Sequence, residues 1–269
     1  MADIKKLAHE VYPYVVEMRR DFHRHPEASF EEFRTTKRIA EELDKMGIPY
    51  RLFEPTGLVG EIKGGKPGKC IALRADIDAL TTTEKTGLPY ASENEDYMHA
   101  CGHDTHTAML LGAAKILSSV KDELCGTVKL IFQPAEELAS GAKCIVEQGV
   151  LDGVDAAFGQ HIFSRRPAGS LSLSEGTLHP AADYFKLTVT GKASHGALPD
   201  EGIDTTVAAS AIVLALQTIS SREFSPLEPV VVTVGTLHSG QRFNVISNHA
   251  ELEGTVRLFN EELHQKIPG

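Results

Sequence analysis

Hydrophobic and polar positions are arranged in two different ways along the chain, and the change falls near Gly176. Before it, short apolar runs, "LVGEI", "CIALRAD", "TVKLIFQ" and "AAFGQHI", are separated by longer stretches. Two of these stretches, "THTAMLLGAAKILSSV" and "AKCIVEQGV", read as helices. Near-continuous apolar strands alternating with helices predict an α/β fold, a mostly parallel sheet flanked by helices on both faces. Upstream, "SFEE" at 29–32 has the form of a capping box. It opens a helix expected to bury Phe33, Ala40 and Leu43 and to stop near Gly47.

Beyond Gly176 the pattern becomes strictly alternating. "YFKLTVTGK" sorts Phe185, Leu187 and Val189 from Lys186, Thr188 and Thr190. "AELEGTVRL" sorts Ala250, Leu252, Val256 and Leu258 from Glu251, Glu253, Thr255 and Arg257. That predicts an antiparallel sheet with one wet face. Between these strands a helix over about 204–219 places Ala208, Ile212, Ala215 and Ile219 on one stripe. Asn260 stands where an N-cap would, with Glu261 and Glu262 in the first turn that follows. The order predicts a smaller α+β domain, a split βαβ sandwich of ferredoxin-like type that looks truncated at Gly269. The expected domains are residues 1–178 and 179–269.

Composition narrows the function classes. The chain has 269 residues and a formal net charge of −10, which argues against a nucleic-acid partner. No apolar run is long enough to span a bilayer, so no membrane role is expected. The start, "MADIKKLAHEVYPYVVEMRRDFHRHPE", lacks the apolar core and cleavage site of a secretory signal. Cys70, Cys101, Cys125 and Cys144 show no disulfide-scaffold spacing, and a cytoplasmic setting is the simplest expectation. Three of them sit in apolar patterns, whereas Cys101 sits among histidines.

That setting is "HACGHDTH", residues 99–106, with three histidines, one cysteine and one aspartate. Ligands of open α/β sheets gather at the carboxyl ends of strands. "CIALRAD" ends in Asp76 and then Asp78, "TVKLIFQPAEE" in Glu136 and Glu137, and "AAFGQHI" reaches His161. "HACGHD" leads into a helix whose N-terminus belongs on the same edge. Each feature alone has an ordinary structural explanation: a polar loop, solvated acids, an interior histidine, a turn cap. Four such accidents on one rim are far less economical than a metal site. Adjacent side chains in extended backbone point in different directions, so one glutamate can ligate while the other faces a metal-bound water and takes its proton. Hydrolysis of an amide or ester is the natural chemistry. Thiolate, imidazole and carboxylate together suit Zn, Mn, Co or Ni rather than Mg or Ca.

With these residues in place, the chain resembles the amidohydrolase branch of the aminoacylase/carboxypeptidase-type metallopeptidases, which includes hippurate hydrolase and the indole-3-acetyl-amino-acid hydrolases. The resemblance runs from "RRDFHRHPEASFEE" through "RADIDAL", "HACGHDTHTAMLLGAA", "QPAEE" and "GKASHGALP" to "GTVRLF". It implies a di-metal exopeptidase-like catalytic domain in which Cys101, His103, Glu137 and His161 ligate two divalent ions. Cys101 would be the bridging thiolate, Glu136 the general base and Asp76 a supporting carboxylate. The second domain would be a lid that also forms a homodimer. His195 would help polarise the scissile carbonyl, from its own or the partner subunit, and Asn244 would touch the substrate, although a plain turn asparagine reads equally well. The implied substrate is an N-acyl amino acid or peptide-like small amide. Two departures stand out: Thr81 where the family has proline, and Asp200 where it often has histidine. A further metal-binding histidine expected after residue 269 makes a catalytically impaired or non-catalytic binding relative the competing reading. A structural zinc module is disfavoured because its ligands would come from four distant segments.

Overall fold

The computed structural model describes residues 2–173, 175–177 and 180–266. The chain forms two compact units, Met1–Ala168 and Gly169–Gly269. The expected boundary at 178/179 and the chain end at Gly269 lie outside the described residues.

The first unit begins with helix α1 (Ile4–Arg24), whose first turn is capped by the Asp3 side chain, and continues with α2 (Phe33–Met46). Then come β1 (Tyr50–Leu52), β2 (Leu58–Lys63), β3 (Lys66–Asp76) and the short pair β4 (Leu80–Thr81) and β5 (Tyr97–Met98). Helix α3 (His103–Ser119), β6 (Cys125–Gln133), α4 (Gly141–Glu147) and β7 (Ala156–Gly159) complete it. The five-stranded sheet has the order β1-β2-β6-β3-β7.

The sheet is mixed, which corrects the mostly parallel expectation. β3 is parallel to both β6 and β7, but β2 is antiparallel to β1 and to β6. The reason is in the linkers. Only Gly64 and Gly65 separate β2 from β3, too few residues for a crossover, so the two must run oppositely. β6 returns after helix α3, enters between them parallel to β3, and therefore opposes β2. The parallel register sets Asp76 opposite Gln133 and Arg74 opposite Gly159, so three strands end on one rim.

Helices cover both faces of this sheet, as the apolar runs predict. On one face Met18, Phe22, Ile39, Leu43 and Leu111 pack against Leu58, Leu130 and Phe132. On the other, Ile145 and Val150 pack against Ala72 and Ile131. At 25–30 cal/mol per Å² of apolar area, such fully buried side chains each contribute roughly 1.5–3 kcal/mol before entropy is counted.

The capping box does not form. Helix α2 starts at Phe33, which is 61% exposed, and Glu32 makes no side-chain cap. Instead the Glu27 carboxylate accepts from the Arg34 and Thr35 amides at 2.9 and 2.7 Å. Ala40 and Leu43 are buried and the helix ends at left-handed Gly47, as expected.

In the second unit β8 (Ala181–Thr190), β9 (Ser194–His195), α5 (Thr205–Thr218), β10 (Val230–Ser239), β11 (Val245–Ile246), β12 (His249–Leu258) and α6 (Glu261–His264) follow in order. β10-β12-β8 is fully antiparallel, with Leu252 opposite Leu187 and Val256 opposite Asp183. The alternation holds in β12, where Ala250, Leu252, Val256 and Leu258 are buried. Helix α5, capped by Asp204, packs through Ala209, Ile212, Val213 and Leu216. Ala215 is exposed: the stripe is shifted so that the larger Val213 and Leu216 reach the sheet. Asn260 caps α6 as predicted. Among the described residues no helix is long and apolar enough to cross a membrane.

Candidate metal centre

Six of the residues expected at the site lie on one rim of the first unit. Cys101, His103 and His161 form one group of potential ligand atoms, and His103, Glu136 and Glu137 form another. His103 is shared and fully buried, which makes it the hub.

The local sequence explains this convergence. Gly102, between Cys101 and His103, has φ 104°, a conformation open to glycine. A Cβ there would also lie 2.5 Å from the Ile162 side chain. The turn aims Cys101 toward His161, with Sγ 3.2 Å from Nε2, and makes His103 the first residue of α3. After β6, Pro134 leaves the sheet, and Ala135 takes a left-handed φ of 47° that turns Glu136 and Glu137 onto the rim. Their carboxylates stand 3.7 and 3.8 Å from His103 Nε2.

A ring of acids orients the histidines. His103 Nδ1 lies 3.0 Å from the Asp78 carbonyl oxygen and 3.2 Å from its Oδ1. Asp78 Oδ2 accepts from the Ser29 hydroxyl at 2.7 Å and the Glu137 amide at 3.0 Å. Asp76 supports a different ring: its Oδ1 is 2.6 Å from His106 Nδ1, and its Oδ2 accepts from Arg74. His106 Nε2 in turn accepts from the Ile162 amide, beside His161. Both His106 nitrogens are thus engaged, so the geometric trio Asp76–His103–His106 is a support and not a binding site. Asp104, in the first turn of α3, is bound by His23 and Arg19 at 2.7 and 2.8 Å. His99 is buried, and burial pushes its pKa down to about 4, so it is neutral.

The field of this pit is strongly negative. Burial lowers the His103 pKa, but Asp78, Cys101 and Asp76 outweigh it and hold the pKa up at about 11. Burial likewise raises Asp76, yet His106 and Arg74 bring it to about 2. The acids that raise the His103 pKa make the pit anionic, which favours a bound cation in the place of that proton. Two buried atoms face the pit without hydrogen-bond partners, His103 Nε2 and Glu137 Oε1. They are 3.8 Å apart, too far to bond each other and close enough to share one ion. With a thiol and a second imidazole alongside, the donor set fits a divalent transition metal.

Asp78, which the sequence places beside Asp76 at a strand end, and Ser29 and Glu32, which it places in a capping box, hold the rim through His103, Asp78 and the Ala135 amide respectively. Asp78 carries one legible signal: it is two residues from Asp76 and hence on the same face of extended backbone. His195 and Asn244 belong to the second unit, where they are neighbours. The Gly196 amide donates to the Asn244 carbonyl at 2.9 Å, and His195 Nδ1 accepts from the Ala197 amide. The Asn244 Oδ1 is buried without a partner.

Comparison with known proteins agrees with this chemistry. The model of peptidase family M20/M25/M40 matches residues 72–263. The chain is 45% identical over 259 residues to an N-acetylcysteine deacetylase of Bacillus subtilis, covering 94% of this chain and 67% of that protein. It is 41% identical to an N-acyl-L-amino acid amidohydrolase of Geobacillus stearothermophilus, covering 99% and 72%. A crystal structure of a dinuclear metal binding peptidase of family M20 from Bacillus subtilis superposes with a TM-score of 0.78 at 42% identity, covering 97% and 68%. The chain therefore spans about two thirds of the length of these relatives. A family match over most of the chain, on a rim built around unpaired metal-binding atoms, establishes that this chain belongs to peptidase family M20/M25/M40.

Proposed function

We propose that the protein is a metal-dependent amidohydrolase that cleaves the amide bond of N-acyl amino acids or related small amides. One observation carries this reading: the two facing, unpartnered atoms of His103 and Glu137 stand beside Glu136, whose side chain is 39% exposed and reachable by substrate. The names of the relatives, a deacetylase and an amidohydrolase of N-acylated amino acids, support the same substrate class.

In this reading Cys101, His103, Glu137 and His161 hold two divalent ions, of Zn, Mn, Co or Ni type. When bound, the ions polarise the scissile carbonyl and lower the pKa of water near them. Glu136 accepts the proton that the attacking water gives up and returns it to the leaving amine nitrogen. Asp78 keeps His103 Nδ1 engaged so that Nε2 faces the pit, and Asp76 acts through His106 on the His161 loop. We assign the second unit the role of lid and homodimer contact, with His195 polarising the substrate carbonyl and Asn244 touching the substrate. The unpaired state of all four cysteines supports a cytoplasmic setting, and the net charge of −10 supports a small-molecule partner over a nucleic acid.

The test is turnover of a panel of N-acetyl, N-benzoyl and indolyl-acetyl amino acids with each metal. Glu136→Gln should keep metal binding and lose about 10²–10⁴-fold in rate. Full activity in that variant would remove Glu136 from the mechanism. Metal binding without turnover on any substrate would point to a binding relative instead.

A further inference from the structure

Glu32 is a fully buried carboxylate that does no work for its own helix, because Glu27 takes the first-turn amides of α2. A carboxyl group is seldom kept inside a protein without hydrogen-bond partners. Its two oxygens have partners far away in sequence. Oε2 accepts from the Thr56 hydroxyl, and Oε1 accepts from the Ala135 amide at 2.8 Å. Ala135 is itself buried and one of three non-glycine residues with positive φ among those described. Left-handed backbone at alanine persists only where the surroundings over-determine it. Here they do so from both sides: Glu32 takes the amide, and the Gly141 amide donates to the Ala135 carbonyl at 3.1 Å. Gly141 sits so close that a Cβ on it would lie 1.7 Å from the Pro134 carbonyl oxygen.

Ala135 immediately precedes Glu136 and Glu137. Were it to relax to negative φ, the following peptide would rotate and carry both carboxylates away from His103. We infer that Glu32 is a positioning residue that locks the Ala135 turn and thereby sets Glu136 and Glu137 against His103. The inference rests on the proposed metal-dependent reading, since it concerns how those two carboxylates are presented. Glu32 touches neither substrate nor ligand atoms; it acts through a backbone amide. Asp78 holds the Glu137 amide on the other side, so the amides flanking Glu136 are held by two buried carboxylates.

The experiment is a Co²⁺ titration of the whole chain, read by the d–d absorption spectrum, with thermal unfolding recorded in parallel. Wild type is compared with Glu32→Ala, Glu32→Asp and Glu32→Gln. Loss of a supporting partner typically weakens metal affinity about 10–100-fold. Glu32→Ala should show that loss and an altered spectrum. Glu32→Asp, too short to reach the Ala135 amide but still charged, should show it too, and it stands in if the alanine variant does not fold. Glu32→Gln keeps an oxygen for that amide and should restore affinity and spectrum. Wild-type affinity and spectrum in the alanine or aspartate variant would overturn the inference while leaving the proposed function standing. So would a glutamine variant as weak as the alanine one. Absence of Co²⁺ binding by wild type would overturn the metal-dependent reading itself, and the inference with it.

Discussion

Stripping divalent ions from the protein should lower its melting temperature by an amount the structure sets. Without an ion, His103 Nε2 and Glu137 Oε1 are buried with no hydrogen-bond partner, His103 Nε2 having only long ionic contacts of 3.6, 3.7 and 3.8 Å to Asp76, Glu136 and Glu137. Each unsatisfied buried polar group costs about 1–3 kcal/mol, so satisfying both is worth about 2–6 kcal/mol. Mass action allows this: an ion at 100 times its Kd stabilises by about 2.7 kcal/mol. In a unit of 150–250 residues, 1 kcal/mol moves the midpoint by about 2–4 °C, so the smallest consistent shift is about 4 °C. Differential scanning calorimetry of chelated protein, titrated with Zn, Mn, Co or Ni, measures it. His103→Ala, which removes one of the two atoms, should abolish most of the shift. Coincident melting curves for chelated and metal-loaded wild type would refute the reasoning, because the two atoms would then have partners of another kind.

Two further outcomes follow from residues around the site. Gly102→Ala forces a left-handed conformation on a residue with a side chain, at a cost of about 1–2 kcal/mol, and pushes on Ile162. Urea unfolding should show the loss and a Co²⁺ titration should show weaker binding; an unchanged pair of curves would mean the turn is not constrained. Glu42, nearly buried, governs part of the acid stability. Burial raises its pKa, but hydrogen bonds from Lys45, Tyr14 and Arg38 outweigh that and keep it below its ordinary 4.5. A depressed pKa stabilises the fold in full above 4.5 and loses that contribution as pH falls through the lower folded-state value. Glu42→Gln should therefore lower the urea midpoint at neutral pH and flatten its decline in acid. A variant with the wild-type acid slope would show that the cluster contributes nothing there.

The convergence of donors on the rim was legible because strand ends are legible. An apolar run that stops in an acid or a histidine marks both the strand and its end, as at Asp76, Glu137 and His161. Cys101 and His103 were legible from a glycine between two donors. The direction of β2 was not, because periodicity reports which face is buried and says nothing of polarity along the strand; the Gly64–Gly65 link carries that information instead. Ser29 and Glu32 were misread for a related reason. A capping box is a local pattern, whereas their partners Asp78 and Ala135 lie 49 and 103 residues away. Residues that serve a distant segment carry no periodic or local signature, so a nearby motif claims them.

The spread of the rim along the chain, from Ser29 to His161, also decides when a metal can act during folding. An unfolded chain offers an ion only local pairs, Cys101 with His103 or Glu136 with Glu137, because bringing such pairs together means closing loops of tens of residues. Compact Cys-rich zinc modules can be nucleated by their ion; this rim exists only after the first unit has closed. Metal therefore arrives late and binds the finished fold almost exclusively, which places its effect on the rate of unfolding and leaves the rate of folding nearly untouched. The ion works as a latch on a structure that the apolar sheet and its helices have already built.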